Sequence, residues 1–413
     1  MQSPFRRDRR GIRAGAATAV TAVAALCVSG ALTAPAAAAP HGERAPAAAQ
    51  ATATSAAGPG DVVAAEPSAF RILPGVPTLT RAWKVQYAST DASGKPNTVS
   101  GTVIVPLDGR TTTRPLVTYA MGTVGMGDQC APSATFPAGN TTEAPLIKGA
   151  LLRGWAVVVT DYEGLGTPGD HTYTVGRAAG TAVLDAARAA QRLPEAQQSG
   201  VTESSPVGIM GYSQGGQASA WAAELQRTYA PELNVKGTAS GGVPADLPKV
   251  AAYNNGDEES ALVLMAAIGH DAAYPGLGLN SYLTDEGRKL ADGMRNGCLS
   301  ENSDAGANKS IDDVTVRNPL DQPDWQQRLA ADRLGGTAPG HPVYLYHAGS
   351  DEIIPFEVGR QLRADWCARG NSVEWHTYPL VGHATAAVLG SVPAMNWLSD
   401  RFADKPARSD CGS

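Results

Sequence analysis

The chain has 413 residues, 43% of them hydrophobic and 17% charged, with 46 Gly and 29 Pro, a balance that excludes a disordered polyelectrolyte and a coiled coil. Against 39 Asp and Glu stand 33 Lys and Arg, a net charge of −6, with no basic stripe to neutralise phosphates, so nucleic acid is not an expected partner. The length allows two or three domains, or one large α/β domain with insertions.

Residues 1–39 read as a secretory signal peptide. Arg6, Arg7, Arg9, Arg10 and Arg13 form a cationic patch, residues 14–32 are uncharged, and an Ala-rich stretch ends at Ala39. The apolar run is weak for a membrane anchor, and no later segment offers about eighteen uninterrupted apolar residues. The expected location is therefore extracellular. Cleavage removes five Arg and one Asp, leaving 28 basic and 38 acidic residues, a net −10, and it also removes Cys27. Cys130, Cys298, Cys367 and Cys411 then remain in a compartment where disulfides persist, with three pairings open. No two of them are close and none has a His at ligand spacing, so neither a metal nor another cofactor is expected.

Residues 40–66, mostly Ala, Pro, Gly and Gln, lack the apolar side chains to order themselves and read as a flexible leader. Over residues 67–413 strand and helix signals alternate. The predicted strands are 82–89, 100–105, 115–120, 155–161, 206–210, 235–239, 342–347 and 373–378; the predicted helices are 142–153, 176–193, 217–229, 355–369 and 384–402. Continuous β-branched runs such as 156–160 suit strands buried on both faces. The order implies one α/β domain, a mostly parallel central sheet with helices on both faces. Residues 243–341 carry few strand signals and are too long for a structureless loop, so they read as an inserted, mainly helical cap. Its apolar run 262–268 fits either buried packing or a face turned toward an acyl chain.

Chemistry concentrates at Gly211-Tyr212-Ser213-Gln214-Gly215-Gly216, between a predicted strand and a predicted helix. A serine on such a turn is held above the sheet edge, and the flanking glycines give a strained backbone the room it needs. The backbone N–H of Gln214 then points to where an oxyanion would form. A serine hydroxyl needs a base, and the base an orienting carboxylate. In this architecture they follow in the order Ser, acid, His on loops after late strands. Asp351 follows strand 342–347 and His383 follows strand 373–378, whereas Glu352 would point elsewhere on its turn. His347 and His376 fall inside predicted strands, and His171, His270 and His341 in loops or cap. The second oxyanion donor is expected from the Gly-rich loop after strand 115–120: the Thr123 N–H, with Gly122 and Gly125 as rivals. Asp161 and Glu163 either share a proton near the substrate or fix the Gly164-Leu165-Gly166 turn.

Five motifs, Gly211 to Gly216, Thr-Asp-Tyr-Glu-Gly-Leu-Gly at 160–166, Cys-Ala-Pro-Ser at 130–133, Gly-Ser-Asp at 349–351 and Gly-His at 382–383, together resemble the secretory lipases of the α/β-hydrolase superfamily, the group that includes Candida lipase A. The resemblance spans residues 70–413. It implies an α/β-hydrolase fold, an extracellular carboxylic ester hydrolase with a cap over an acyl pocket, and a triad of Ser213, Asp351 and His383. It also implies disulfides pairing Cys130 with Cys298 and Cys367 with Cys411. In the fungal members an acidic residue of the oxyanion loop assists the oxyanion hole; here Asp128 lies nearer the cysteine than that role requires. The expected partners are an ester or lipid substrate and transient contact with a lipid surface, in a monomer. A serine peptidase of the same fold is the alternative, with Asp257, Glu258 and Glu259 as candidates to receive a peptide terminus. A non-catalytic surface protein is the third reading.

Overall fold

The computed structural model describes residues 57–412; the expected signal peptide and most of the expected leader lie outside them. Nine strands, β1 (Val62–Ser68), β2 (Thr80–Thr90), β3 (Pro96–Pro106), β4 (Leu116–Ala120), β5 (Ala156–Tyr162), β6 (Val207–Tyr212), β7 (Val235–Gly241), β8 (Val343–Ala348) and β9 (Val373–Tyr378), form one sheet in the order β1-β2-β3-β5-β4-β6-β7-β8-β9. β1, β2, β3 and β5 pair antiparallel; from β5 across to β9 every pairing is parallel. Every residue of β4, β5, β6 and β8 is buried, as unbroken runs like Ala156-Val-Val-Val159 demand.

The helices are α1 (Pro132–Thr135), α2 (Ala144–Leu151), α3 (Gly176–Arg192), α4 (Pro194–Gln197), α5 (Gln214–Tyr229), α6 (Leu247–Asn254), α7 (Ala261–Ala273), α8 (Asp285–Asn296), α9 (Leu299–Gly306), α10 (Ile311–Val314), α11 (Pro323–Ala331), α12 (Phe356–Ala368) and α13 (His383–Phe402). α3 and α5 pack on each other and on the central strands, and α12 joins them where the Trp366 indole donates to Glu224 of α5 at 2.7 Å. α2 and α13 pack together and against the sheet. No single described helix is long and apolar enough to cross a membrane.

Residues 242–342, between neighbouring strands β7 and β8, hold α6 to α11. This region has a core of its own, built from α7, α8 and Trp325, and that core also takes in Met126 from the loop after β4 and Tyr173 from the loop after β5. The cap thus grips two loops at the carboxyl edge of the sheet.

Three expectations need correction. The leader does not run to residue 66: Val62 to Ser68 form β1, paired with β2, and Asp61 accepts an ion pair from Arg192 at 2.8 Å. Most of β1 is exposed, so backbone pairing rather than side-chain burial orders it, and composition does not report backbone pairing. Pro67 is tolerated because the strand is at an edge. α5 begins at Gln214 rather than 217, and His383 is the first residue of α13 rather than a loop residue.

Candidate active site

The strand order doubles back at β4, with β5 on one side and β6 on the other, and in open α/β sheets ligands bind at the carboxyl ends where that reversal occurs. Because β4, β6, β8 and β9 all run parallel, the segments leaving them emerge on one edge. They carry Thr123, Ser213 with Gln214, Asp351 and His383.

Ser213 has φ +60° and ψ −122°, a conformation that L-residues rarely adopt. Close packing imposes it. A Cβ on Gly211 would land on the Gly215 carbonyl, and one on Gly215 on the Ala120 carbonyl of β4. The Ser213 N–H donates to Gly241 O at 3.0 Å, which locks the turn to β7.

Asp351 is buried. Its carboxylate meets His383 Nδ1 at 2.8 and 2.9 Å and accepts the Ile353 and Ile354 N–H groups at 3.0 and 2.8 Å. Burial alone would raise its pKa, but the His383 hydrogen bond and charge, with the backbone donors, hold the carboxyl below its ordinary value. His347 Nε2 lies 3.5 Å from the same carboxylate, on the other side of β8's turn, and bonds Ile354 O at 3.0 Å. Glu352 does not touch the imidazole: its Oε2 accepts the His383 backbone N–H at 2.9 Å, at the start of α13. The Tyr212 hydroxyl donates to His383 O at 2.8 Å and its ring lies 4.8 Å from the imidazole.

With Nδ1–H committed to Asp351, His383 Nε2 carries a lone pair, and it is buried without a hydrogen-bond partner among the described residues. A Cβ on Gly242 would come within 3.0 Å of His383 Cε1, so the ring's edge lies at the end of β7, beside Gly241, whose carbonyl accepts the Ser213 N–H. No hydrogen bond joins Ser213 to His383; such bonds are commonly loose until substrate binds.

The N–H groups of Gln214 and Thr123 donate to no group among the described residues. Of the rival loop glycines, Gly122 has its N–H committed elsewhere, and Gly125 is set apart by its packing against the cap. Gly122 N–H donates to Glu143 Oε1 at 2.8 Å, and Gly125, at φ +118°, lies against the cap backbone at Cys298, where a Cβ would clash. The Cys130–Cys298 disulfide closes the same junction, and Cys367–Cys411 ties α12 to the C-terminal tail. Asp128 is exposed and accepts the Gly166 N–H at 2.8 Å, far from an oxyanion role. Asp161 accepts from Ser100 Oγ at 2.6 Å and Ser133 N at 2.9 Å, while Glu163 accepts from Asn97 Nδ2 at 2.8 Å and Thr172 Oγ1 at 3.3 Å. The two carboxylates share no proton; each fixes its own stretch of chain.

Sequence reasoning missed His171, Tyr173 and Glu143. His171 Nε2 meets the Gln214 side-chain amide at 3.1 Å, the Tyr173 hydroxyl meets Thr123 Oγ1 at 2.8 Å, and Glu143 also accepts the Tyr119 hydroxyl at 2.6 Å. Burial raises the Glu143 carboxyl against those two hydrogen bonds. None of the three stands in a local pattern.

A model of the secretory lipase family matches residues 133–410, a span that contains Ser213, Asp351 and His383. The chain belongs to the secretory lipase family. Among the relatives of this secretory lipase, a protein of Mycobacterium tuberculosis named as a probable inactive lipase is 30% identical over 84% of this chain and 79% of its own. Lipase 10 of Candida albicans is 30% identical over 86% and 79%. A secreted triacylglycerol lipase of Malassezia globosa is 28% identical over 81% and 75%. In fold the chain is similar to Candida antarctica lipase A, with a TM-score of 0.77 and 23% identity over 86% of this chain and 85% of that one. It is also similar to the rice cell wall degrading esterase LipA of Xanthomonas oryzae, with a TM-score of 0.68 and 19% identity over 83% and 99%.

Above Ser213 and Gln214 lies a partly open, mostly apolar cavity, whose walls include Leu247, Val250, Leu262, Ala266, Trp325 and Leu329 of the cap. One side of α7, Leu262, Val263, Ala266 and Ala267, faces this space, and Leu264, Met265 and Ile268 pack into the cap core. The apolar run 262–268 is thus divided between buried packing and the wall of the cavity. Of the three acidic cap residues, Asp257 and Glu258 are exposed; Glu259 is half-buried, and burial, then the charge of Glu352, raises its carboxyl. Among the described residues no group of three or more His, Cys, Asp or Glu side chains is placed to hold a metal ion.

Proposed function

We propose that this secretory lipase is an exported serine hydrolase of carboxylic esters, acylglycerols or similar lipids, and that Ser213, His383 and Asp351 are its catalytic residues. His383 Nε2 takes the proton of the Ser213 hydroxyl as Oγ attacks the ester carbonyl; Asp351 holds the imidazole in the tautomer that leaves Nε2 free and stabilises the imidazolium. The carbonyl electrons move onto oxygen, which the Gln214 and Thr123 N–H groups receive. Collapse of the tetrahedral species expels the alcohol, which takes the proton from His383, and leaves an acyl group on Ser213. Water deprotonated by His383 then releases the acid.

The observation that carries the reading is the pairing of Asp351 with His383 Nδ1 beside a strained Ser213, with a buried, unpartnered Nε2 and an apolar cavity against the serine. The name of the Mycobacterium tuberculosis relative makes activity the first measurement. Wild type should hydrolyse p-nitrophenyl butyrate and label at Ser213 with a fluorophosphonate; Ser213→Ala should lose both, with at least about 10⁴-fold lower kcat and unchanged melting. An S213A protein of full activity refutes the assignment.

Glu259 supports one other reading, a peptidase whose half-buried cap carboxylate receives a substrate amine. Turnover of aminoacyl p-nitroanilides above that of the matching esters would establish it.

A further inference from the structure

The loop after β5 reaches both sides of the proposed oxyanion site within three residues. His171 contacts the Gln214 side chain at 3.1 Å, and Tyr173 contacts the Thr123 side chain at 2.8 Å. The loop is itself tightly held. His171 Nδ1 bonds Glu163 O at 2.9 Å, Thr172 N–H donates to the same carbonyl at 3.2 Å, and Tyr173 N–H donates to His171 O at 2.8 Å. The His171 ring stacks on Tyr162, centroids 6.0 Å apart and planes at 22°, and Tyr162 in turn donates through its hydroxyl to Met121 O at 2.7 Å, at the root of the Thr123 loop. From above, α7 presses on this loop: Gly269 lies so close to the Tyr173 backbone that a Cβ there would overlap it.

Gln214 and Thr123 come from segments whose roots are packed together, β4 pairing with β6 and Gly215 lying against the Ala120 and Met121 carbonyls, but beyond those roots no hydrogen bond joins the two donor residues to each other. We propose that His171 and Tyr173 form a brace that sets the distance between the two oxyanion N–H donors, so that both are positioning residues for the transition state; this rests on the reading of the site given above. Chemistry at each contact agrees. The Glu163 carbonyl can only accept, so Nδ1 carries the proton and Nε2 accepts from the Gln214 amide. That arrangement requires a neutral ring, and burial lowers the pKa of His171 to about 4. The groups facing the ring are the Tyr162 and Tyr173 rings, the Glu163 carbonyl and the Gln214 amide; no carboxylate or cation is paired to it among the described residues.

Such a brace acts only where charge develops on oxygen, so its loss should lower kcat and spare KM. The test is steady-state kinetics of full-length wild type, His171→Ala, Tyr173→Phe, Gln214→Ala and His171→Ala/Gln214→Ala on p-nitrophenyl butyrate, with melting temperatures measured alongside. Tyr173→Phe removes one hydroxyl and keeps the ring, so it isolates the Thr123 contact if His171→Ala fails to fold. Each single change at 171 or 173 should cost about tenfold in kcat, with KM within about twofold, and the double variant should be no slower than Gln214→Ala. Folded variants with wild-type kcat, effects confined to KM, or a double variant in which the losses at 171 and 214 multiply would overturn the brace and leave the triad standing. A wild-type chain that cleaves no ester and binds no fluorophosphonate would overturn the site reading and the brace together.

Discussion

His341 is buried, like His171, and has no carboxylate partner among the described residues: its Nε2 meets Thr238 Oγ1 at 2.7 Å and its Nδ1 is buried without a partner. Burial holds both rings neutral, lowering each pKa from 6.5 to about 4. Between those values the unfolded chain binds a proton that the folded chain refuses, so stability is full above pH 6.5 and falls as pH is lowered toward 4. From pH 7 to pH 5 each ring should contribute a loss of about 2 kcal/mol. Urea unfolding at the two pH values should show a smaller drop in His341→Gln than in wild type; equal drops would mean that His341 does not carry the effect. The same two histidines show what sequence reveals at this scale. Ser213, Asp351 and His383 were legible because each follows a strand of a parallel sheet in a fixed order, a constraint of topology. His171 was not, because its relevance comes from a contact with Gln214, 43 residues away, that no spacing encodes.

Among the elements, those whose side chains are buried on a regular period were readable, and those ordered by backbone bonds were not. β5 is announced by its β-branched run and α3 by its Ala-rich body, whereas β1 is a strip of small residues that the edge of β2 holds in place. The first residues of α5, Gln214, Gly215 and Gly216, belong to the serine turn, where glycines hide a helix start that close packing enforces. α7 has a functional side and a structural side, and the distinction can be measured. Ala266 is half-buried on the cavity side. In Ala266→Phe a ring would occupy space that an acyl chain would otherwise fill, so kcat/KM for decanoyl and longer esters should fall at least about tenfold relative to acetate, with little change in melting. Unaltered chain-length preference would exclude this cavity as the acyl site.

For the molecule as a whole, the two disulfides close separations of 168 and 44 residues, for which chain entropy alone gives about 5 and about 4 kcal/mol, an upper range for measured effects. Their consequences for activity should differ. Cys298 lies where the cap pairs with the loop that carries Thr123, through Leu299 N–H to Val124 O at 2.9 Å and Met126 N–H to Gly297 O at 2.9 Å, while Cys411 lies on the tail. Replacing Cys130 and Cys298 by Ser should lower both melting temperature and kcat; replacing Cys367 and Cys411 should lower melting alone. Equal kcat in the two double variants would show that the hydrogen bonds hold the loop without the covalent tie.

That junction also bears on how a substrate reaches Ser213. A body fastened at two points can turn about the line between them, and a third fastening off that line arrests it. The cap leaves the sheet at Gly241 and rejoins it at Val343, on neighbouring strands, and it is bolted a third time through Cys298 to the segment following β4, two places further along the sheet. While that bond stands, the roof over the serine does not swing as one piece. On the proposed function, any widening of the way to Ser213 is left to the spans between the three fastenings, and selection by substrate width is then added to selection by acyl length.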